Sequence, residues 1–170
     1  MARELDMFEM VAVIAAKMPD ELFTKPDDDW TPVAFMETPD GQVSMPLAPY
    51  MGTPADKEIL TGLLLPAAIT EMKASRIVMV LSVWVGKAET KEEIESEHFV
   101  PPSQQPGRLE KVMITEYTRE GITRMSSALI TRHEDAPPTL GEWDDDLSNA
   151  AQSEGRFVEP IVKALKAVRP

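Results

Sequence analysis

The run Ile77 to Val85, IVMVLSVWV, restricts the fold more than any other stretch of the chain. Only Ser82 interrupts it, and a short valine-rich run of this kind fits a central strand buried on both faces. The residues before it read as a helix. Thr53 can cap, Pro54 suits the first helical position, and Asp56 falls three residues after the cap. Leu60, Leu63, Leu64 and Ala67 then recur at helical spacing, which asks for one buried face. Pro66 stands inside that pattern, so the helix is expected to kink there and continue. At 170 residues the chain can bury a full core as one domain, residues 1–170.

The flanking segments supply more elements. Residues 4–18 form a first helix with Leu5, Phe8, Val11, Ala12 and Ala15 on one face, and Pro19 is expected to end it. Trp30–Met36 and Val43–Leu47 read as a hairpin about Asp40-Gly41, with Pro32 implying an edge position or a strand start and Pro46 and Pro49 a short, irregular return. Arg108 opens a further strand centred on Val112, Met113 and Ile114. Arg119-Glu120-Gly121 turns it back into Ile122–Arg132, where neither alternating face is cleanly apolar. A last helical stripe comprises Phe157, Ile161, Leu165 and Val168, with regular helix expected from Pro160. Polar loops are expected at 19–29, 88–107 and 133–152. Together these give an α+β fold, a mainly antiparallel sheet of about five strands with two or three packed helices.

Charge and composition narrow the function. The net charge of −12, from 29 acids against 17 bases, disfavours direct binding to nucleic acid or to anionic membranes. No signal peptide or transmembrane run is read at either end or in the middle. Cysteine is absent, which excludes thiolate chemistry and disulfides and fits a cytoplasmic setting. The eight glycines form neither a P-loop nor a dinucleotide fingerprint, so no cofactor is expected.

Four features could carry chemistry. Asp27-Asp28-Asp29 and Asp144-Asp145-Asp146 could hold a hard cation if they met, although calcium-loop spacing is missing and solvated charge is the simpler reading. His98 and His133 lie near acids, but no nucleophile elbow accompanies them. No residue is therefore assigned as catalytic or metal-binding. Trp30 and Trp143 stand beside the two aspartate runs, as apolar anchors inside a polar rim do. With Asp28 and Asp145 they make the candidate interface. Trp84, inside the apolar run, reads as core.

Ser82-Val83-Trp84 and Pro102 to Glu110 resemble segments of small uncharacterised actinobacterial and phage proteins. There a buried strand ending in tryptophan leads through a proline- and serine-bearing loop to an arginine and an acid opening the next strand. The resemblance spans about residues 54–132. Gln104-Gln105 replaces an acid and a histidine, so what it implies is an accessory role without a catalytic loop. The leading expectation is a non-enzymatic interaction or structural accessory protein that binds a protein partner or itself. Two others stand beside it: an acidic nucleic-acid mimic that inhibits a host protein, and a small metal-dependent hydrolase.

Overall fold

The computed structural model describes residues 3–85, 109–145 and 157–168. The expected loop at 88–107, His98, Asp146, the side chain of Trp84 and most of the segment that carries the resemblance lie outside them. The described chain is an α+β fold. Strands β1 (Val33–Thr38), β2 (Gly41–Pro46), β3 (Arg76–Val85), β4 (Leu109–Thr118), β5 (Gly121–Thr131) and β6 (Thr139–Leu140) form one antiparallel sheet in the order β2-β1-β3-β4-β5-β6. Helix α1 (Met7–Glu21) covers one face. The other face carries α2 (Pro54–Ile59), α3 (Leu65–Met72) and α4 (Val158–Ala167). One more strand is present than expected, because β6 forms inside the predicted 133–152 loop and pairs with β5 at Ile130 and Thr131.

Strand β3 shows why its sequence is apolar throughout. Ile77 and Met79 point into the core under α2, α3 and α4, while Val78 and Val80 point into the core under α1. It sits between β1 and β4, paired on both edges. Each large side chain fully buried here contributes about 1.5–3 kcal/mol through removal from water.

Two hairpins are built from one local device. Thr38-Pro39-Asp40-Gly41 joins β1 to β2, and Thr118-Arg119-Glu120-Gly121 joins β4 to β5. In each, the threonine hydroxyl accepts the backbone N–H of the acid two residues on. Each closing glycine has a φ near +120° (Gly41 120°, Gly121 116°), a region that L side chains rarely enter. A further irregularity follows the second turn. The register shifts between Glu116 and Tyr117, so Thr123 is an extra residue opposite them. Ile122 consequently joins Tyr117 on the side of α4, while Arg124 faces α1. Beyond the bulge Met125, Ser126, Ser127 and Ala128 are all buried, so β5 is covered on both faces and neither reads as cleanly apolar.

The helix that contains Pro66 is continuous from Pro54 to Met72, but Leu60–Leu64 widens into a π turn. Thr53 caps it as expected, its hydroxyl accepting the Asp56 N–H at 3.1 Å. The Leu65 N–H reaches back five residues to the Leu60 carbonyl. A wider turn gives room where a proline ring otherwise meets the carbonyl four residues before it. The extra residue also shifts the helical phase. Leu60, Leu65 and Ile69 are buried, whereas Leu63 and Ala67, expected on the buried face, are exposed. Deleting Gly62 together with Pro66→Ala should let a plain α-helix keep Leu60 and Leu65 in the core, changing stability by no more than about 1 kcal/mol. Deleting Gly62 alone returns the proline to an α turn and should cost about 3 kcal/mol. Urea midpoints of the two variants check this, and equal losses would refute it.

Pro19 does not end α1, which runs on to Glu21. The proline lacks the N–H that would bond to the Ala15 carbonyl, and the indole N–H of Trp30 donates to that carbonyl instead, at 2.9 Å. Leu5, expected on the buried face, precedes the helix and is exposed; Met7, Phe8, Val11 and Ala15 are the buried residues. At the N-terminus Asp6 and Glu9 form a capping box. Arg124 clamps it by pairing with Asp6 at 2.9 Å and lying over the Phe8 ring. The last helix starts two residues before Pro160, at Val158. Its C-terminal carbonyls are taken by Arg119 from the β4–β5 turn, which donates to Leu165, Lys166 and Val168.

Tyr117 is buried in the core beneath α4, and burial pushes its phenol up to about 12. An unfolded chain ionises its tyrosines near 10, so between about pH 10 and 12 the native state holds a proton that the unfolded state releases. The stability linked to this proton is complete below pH 10. It is lost as pH rises toward 12, by about 2–3 kcal/mol in all. Urea midpoints at pH 9 and 11.5, compared between the protein and Tyr117→Phe, should diverge by that order; parallel losses would refute the assignment.

Candidate functional surface

The loop between α1 and β1 carries the first aspartate run, and two of its three acids have a local task. The Asp28 carboxylate accepts the backbone N–H groups of Thr24 and Lys25 at 2.7 and 2.9 Å. Those two bonds, Thr24 first, hold its pKa below the ordinary carboxylate value. Asp29 accepts the N–H of Trp30 and the hydroxyl of Ser82. Asp27 is exposed. Arg132 gathers this loop onto the sheet. Its guanidinium grips Glu110 with two bonds at 2.9 and 2.8 Å, donates to the Asp28 carbonyl at 2.6 Å and stands 3.2 Å from Asp29. The hydrogen bonds to Glu110 raise the basicity of Arg132 first of all, so the guanidinium stays charged.

Trp30 is the clearest departure from the sequence reading. It is 1% exposed, stacks edge-on against Phe23 with centroids 4.8 Å apart, and donates its N–H to Ala15. It is a core residue, not a surface anchor. Trp143 is half-buried and packs against the same core. The backbone of its neighbour Asp144 bridges Ser127, and the Asp145 carboxylate accepts the Ser126 hydroxyl. Of the four candidate interface residues, Asp28 and Asp145 thus serve loop anchoring, and the two tryptophans serve the α1 side of the core.

The remaining candidates do not assemble either. His133 is exposed and pairs with the Thr139 hydroxyl at 2.9 Å. Among the described residues, no group of three or more acidic or histidine side chains is placed to hold a metal ion. Among the described residues Glu116 is the most deeply placed acid. It accepts the Thr123 hydroxyl at 2.7 Å, and Arg76 stands 3.5 Å from its other oxygen. Arg76 also faces Glu37 at 3.8 Å, so this cluster ties β1, β3 and β4 together across one face of the sheet.

What the sequence reading passed over is the outward side of α1. Met10, Val13 and Ile14 are 38%, 41% and 54% exposed, and Leu22 just beyond the helix is 66% exposed. The helix is therefore apolar toward the sheet and apolar toward solvent, a pattern that ordinarily accompanies burial on both sides. The signal was available in the sequence, since Met10, Val13 and Ile14 are three and four residues apart. Val13, Ile14 and Leu22 line a groove of about 270 Å³ together with Lys17, Met18 and Glu21. No described helix is long and apolar enough to cross a membrane. Comparison with protein-family models, curated proteins and solved structures gives no match.

Proposed function

We propose that this chain is a non-enzymatic interaction protein whose contact surface is the outward side of α1. The observation that carries the reading is the exposed run of Met10, Val13, Ile14 and Leu22 on a helix already packed through its opposite side. Contiguous apolar surface rimmed by charge is how interaction sites on otherwise polar molecules are built. Here Lys17, Asp20 and Glu21 supply the rim. The acidic surface keeps the free chain soluble and discourages unspecific association. The lack of cysteine agrees with work in a reducing, cytoplasmic setting.

A photo-crosslinking residue at Ile14, in the full chain expressed in its host, tests the proposal. A discrete adduct that disappears on Val13→Asp is expected. The same probe at Leu63, exposed on the opposite layer, serves as the control. Absence of any adduct from position 14, or an adduct insensitive to Val13→Asp, would overturn the reading.

A further inference from the structure

We infer that the outer edge of β2 is a contact surface separate from α1, which takes an extended basic segment of a partner protein as an added antiparallel strand. The ladder to β1 shows which backbone groups are left for it. Just past the strand end the Leu47 N–H donates to the Pro32 carbonyl at 3.0 Å, so these two residues form a bonded pair. Bonded and non-bonded pairs alternate along an antiparallel ladder. The register then makes Met45, Val43 and Gly41 the bonded partners of Ala34, Met36 and Thr38. Pro46, Ser44 and Gln42 fall at the non-bonded positions, facing away from β1. Pro46 has no N–H to give, and at such a position the ladder loses nothing by it. The N–H groups of Gln42 and Ser44 and the carbonyls of Gln42, Ser44 and Pro46 thus point out of the sheet. All three residues are exposed, and among the described residues nothing pairs with these groups.

Proteins ordinarily blunt such an edge with lysines, a bulge or a very short strand. The opposite edge is short, since β6 has 2 residues. Strand β2 has 6, in unbroken register and with no charged side chain among them. The surrounding charge selects the occupant. From Pro26 to Asp56 the chain has no lysine, arginine or histidine, and every charged residue is an acid. Glu37 stands opposite Gln42, and Asp40 lies in the turn. Arg76 is 3.8 Å from Glu37, but it is shared with Glu116. A second copy would bring the same acids and the same net charge of −12 to the contact, whereas a basic segment is attracted. In an added antiparallel strand, residues opposite Gln42 and Ser44 lie on the Glu37 side of the sheet, where lysine or arginine is favoured. Residues opposite Val43 and Met45 lie on the other side, beside partly buried apolar side chains of the core under α2, α3 and α4. The segment that fits therefore alternates basic and apolar residues, with backbone bonds giving affinity and the alternation giving specificity.

The probe is a capped heptapeptide of alternating lysine and valine, titrated into the full chain and followed by backbone amide NMR. The Gln42 and Ser44 amides should shift saturably and exchange more slowly with deuterium. In the bonded register the lysine backbone N–H groups face β2 and the valine ones face solvent. Methylating the lysine backbone nitrogens should weaken binding about tenfold or more, while methylating the valine ones should change it by less than about twofold. Both peptides keep the full positive charge, so charge attraction alone cannot separate them. Ser44→Pro removes an outward N–H and no bond to β1, and should likewise weaken binding about tenfold. Absence of a saturable shift at Gln42 and Ser44, or binding indifferent to lysine methylation, would overturn the inference. Protection of those amides that grows with protein concentration in the absence of peptide would make a second copy the occupant and overturn it too. The Ile14 crosslink reads α1 and this titration reads β2, so either surface can fail without the other.

Discussion

Replacing Trp30 with alanine is expected to cost about 3–5 kcal/mol, enough to unfold a domain of ordinary stability. Two losses combine. The indole is fully enclosed beside Phe23 and α1, so truncation opens a cavity in the α1-side core. It also strands the Ala15 carbonyl, which Pro19 has already deprived of its helical donor. Trp30→Phe isolates the second loss and should cost about 1–3 kcal/mol. On a Pro19→Ala background the backbone N–H of residue 19 can reach that carbonyl, and the penalty for Trp30→Phe should shrink by about 1 kcal/mol. A double-mutant cycle on urea midpoints reads this coupling directly. Strict additivity would show that the two residues do not share the carbonyl.

Arg132→Met is expected to cost about 2–3 kcal/mol, the next largest effect of any single change considered outside the cores. The guanidinium touches both β4, through Glu110, and the α1–β1 loop, through the Asp28 carbonyl and Asp29. The Glu110 side chain is only 11% exposed, so loss of its partner leaves a poorly hydrated charge. Arg132 itself is one-third exposed, which keeps the figure below that of a fully buried pair. Arg132→Lys should recover less than half of the loss, because an ammonium cannot hold Glu110 with two parallel bonds while also reaching the loop. Urea midpoints, together with the rate of proteolysis in residues 22–32, check both variants. A change below about 0.5 kcal/mol for Arg132→Met would show that the network is ornamental.

Some of this architecture is legible from residues alone, and the rest is not for identifiable reasons. Strand β3 and the two glycine-closed hairpins declare themselves because their signals are local: unbroken apolarity in one case, obligatory positive φ in the other. The phase of the Pro66 helix is hidden, since one extra residue in a turn moves Leu63 from the buried face to the exposed one. The bulge at Thr123 hides the face taken by Ile122 in the same way. Trp30 misleads because three aspartates precede it, while its burial depends on a carbonyl fifteen residues earlier in the chain. The aspartates themselves look like a cation site but spend their oxygens on backbone N–H groups, Ser82 and Arg132. The apolar outer side of α1 is hidden because Met10, Val13 and Ile14 interleave with Met7, Phe8, Val11 and Ala15, so the two stripes merge in the sequence.

The clamp between Asp6 and Arg124 joins positions 118 residues apart, and this has a consequence for how the chain is made. A ribosome releases α1 before β4 and β5, two of the strands that seat it. At ordinary elongation rates the interval is on the order of ten seconds. Throughout it the nascent helix shows apolar side chains in every direction. An element made before its seat thus waits for it, and an apolar part of the newborn chain stays without cover until β4 and β5 arrive.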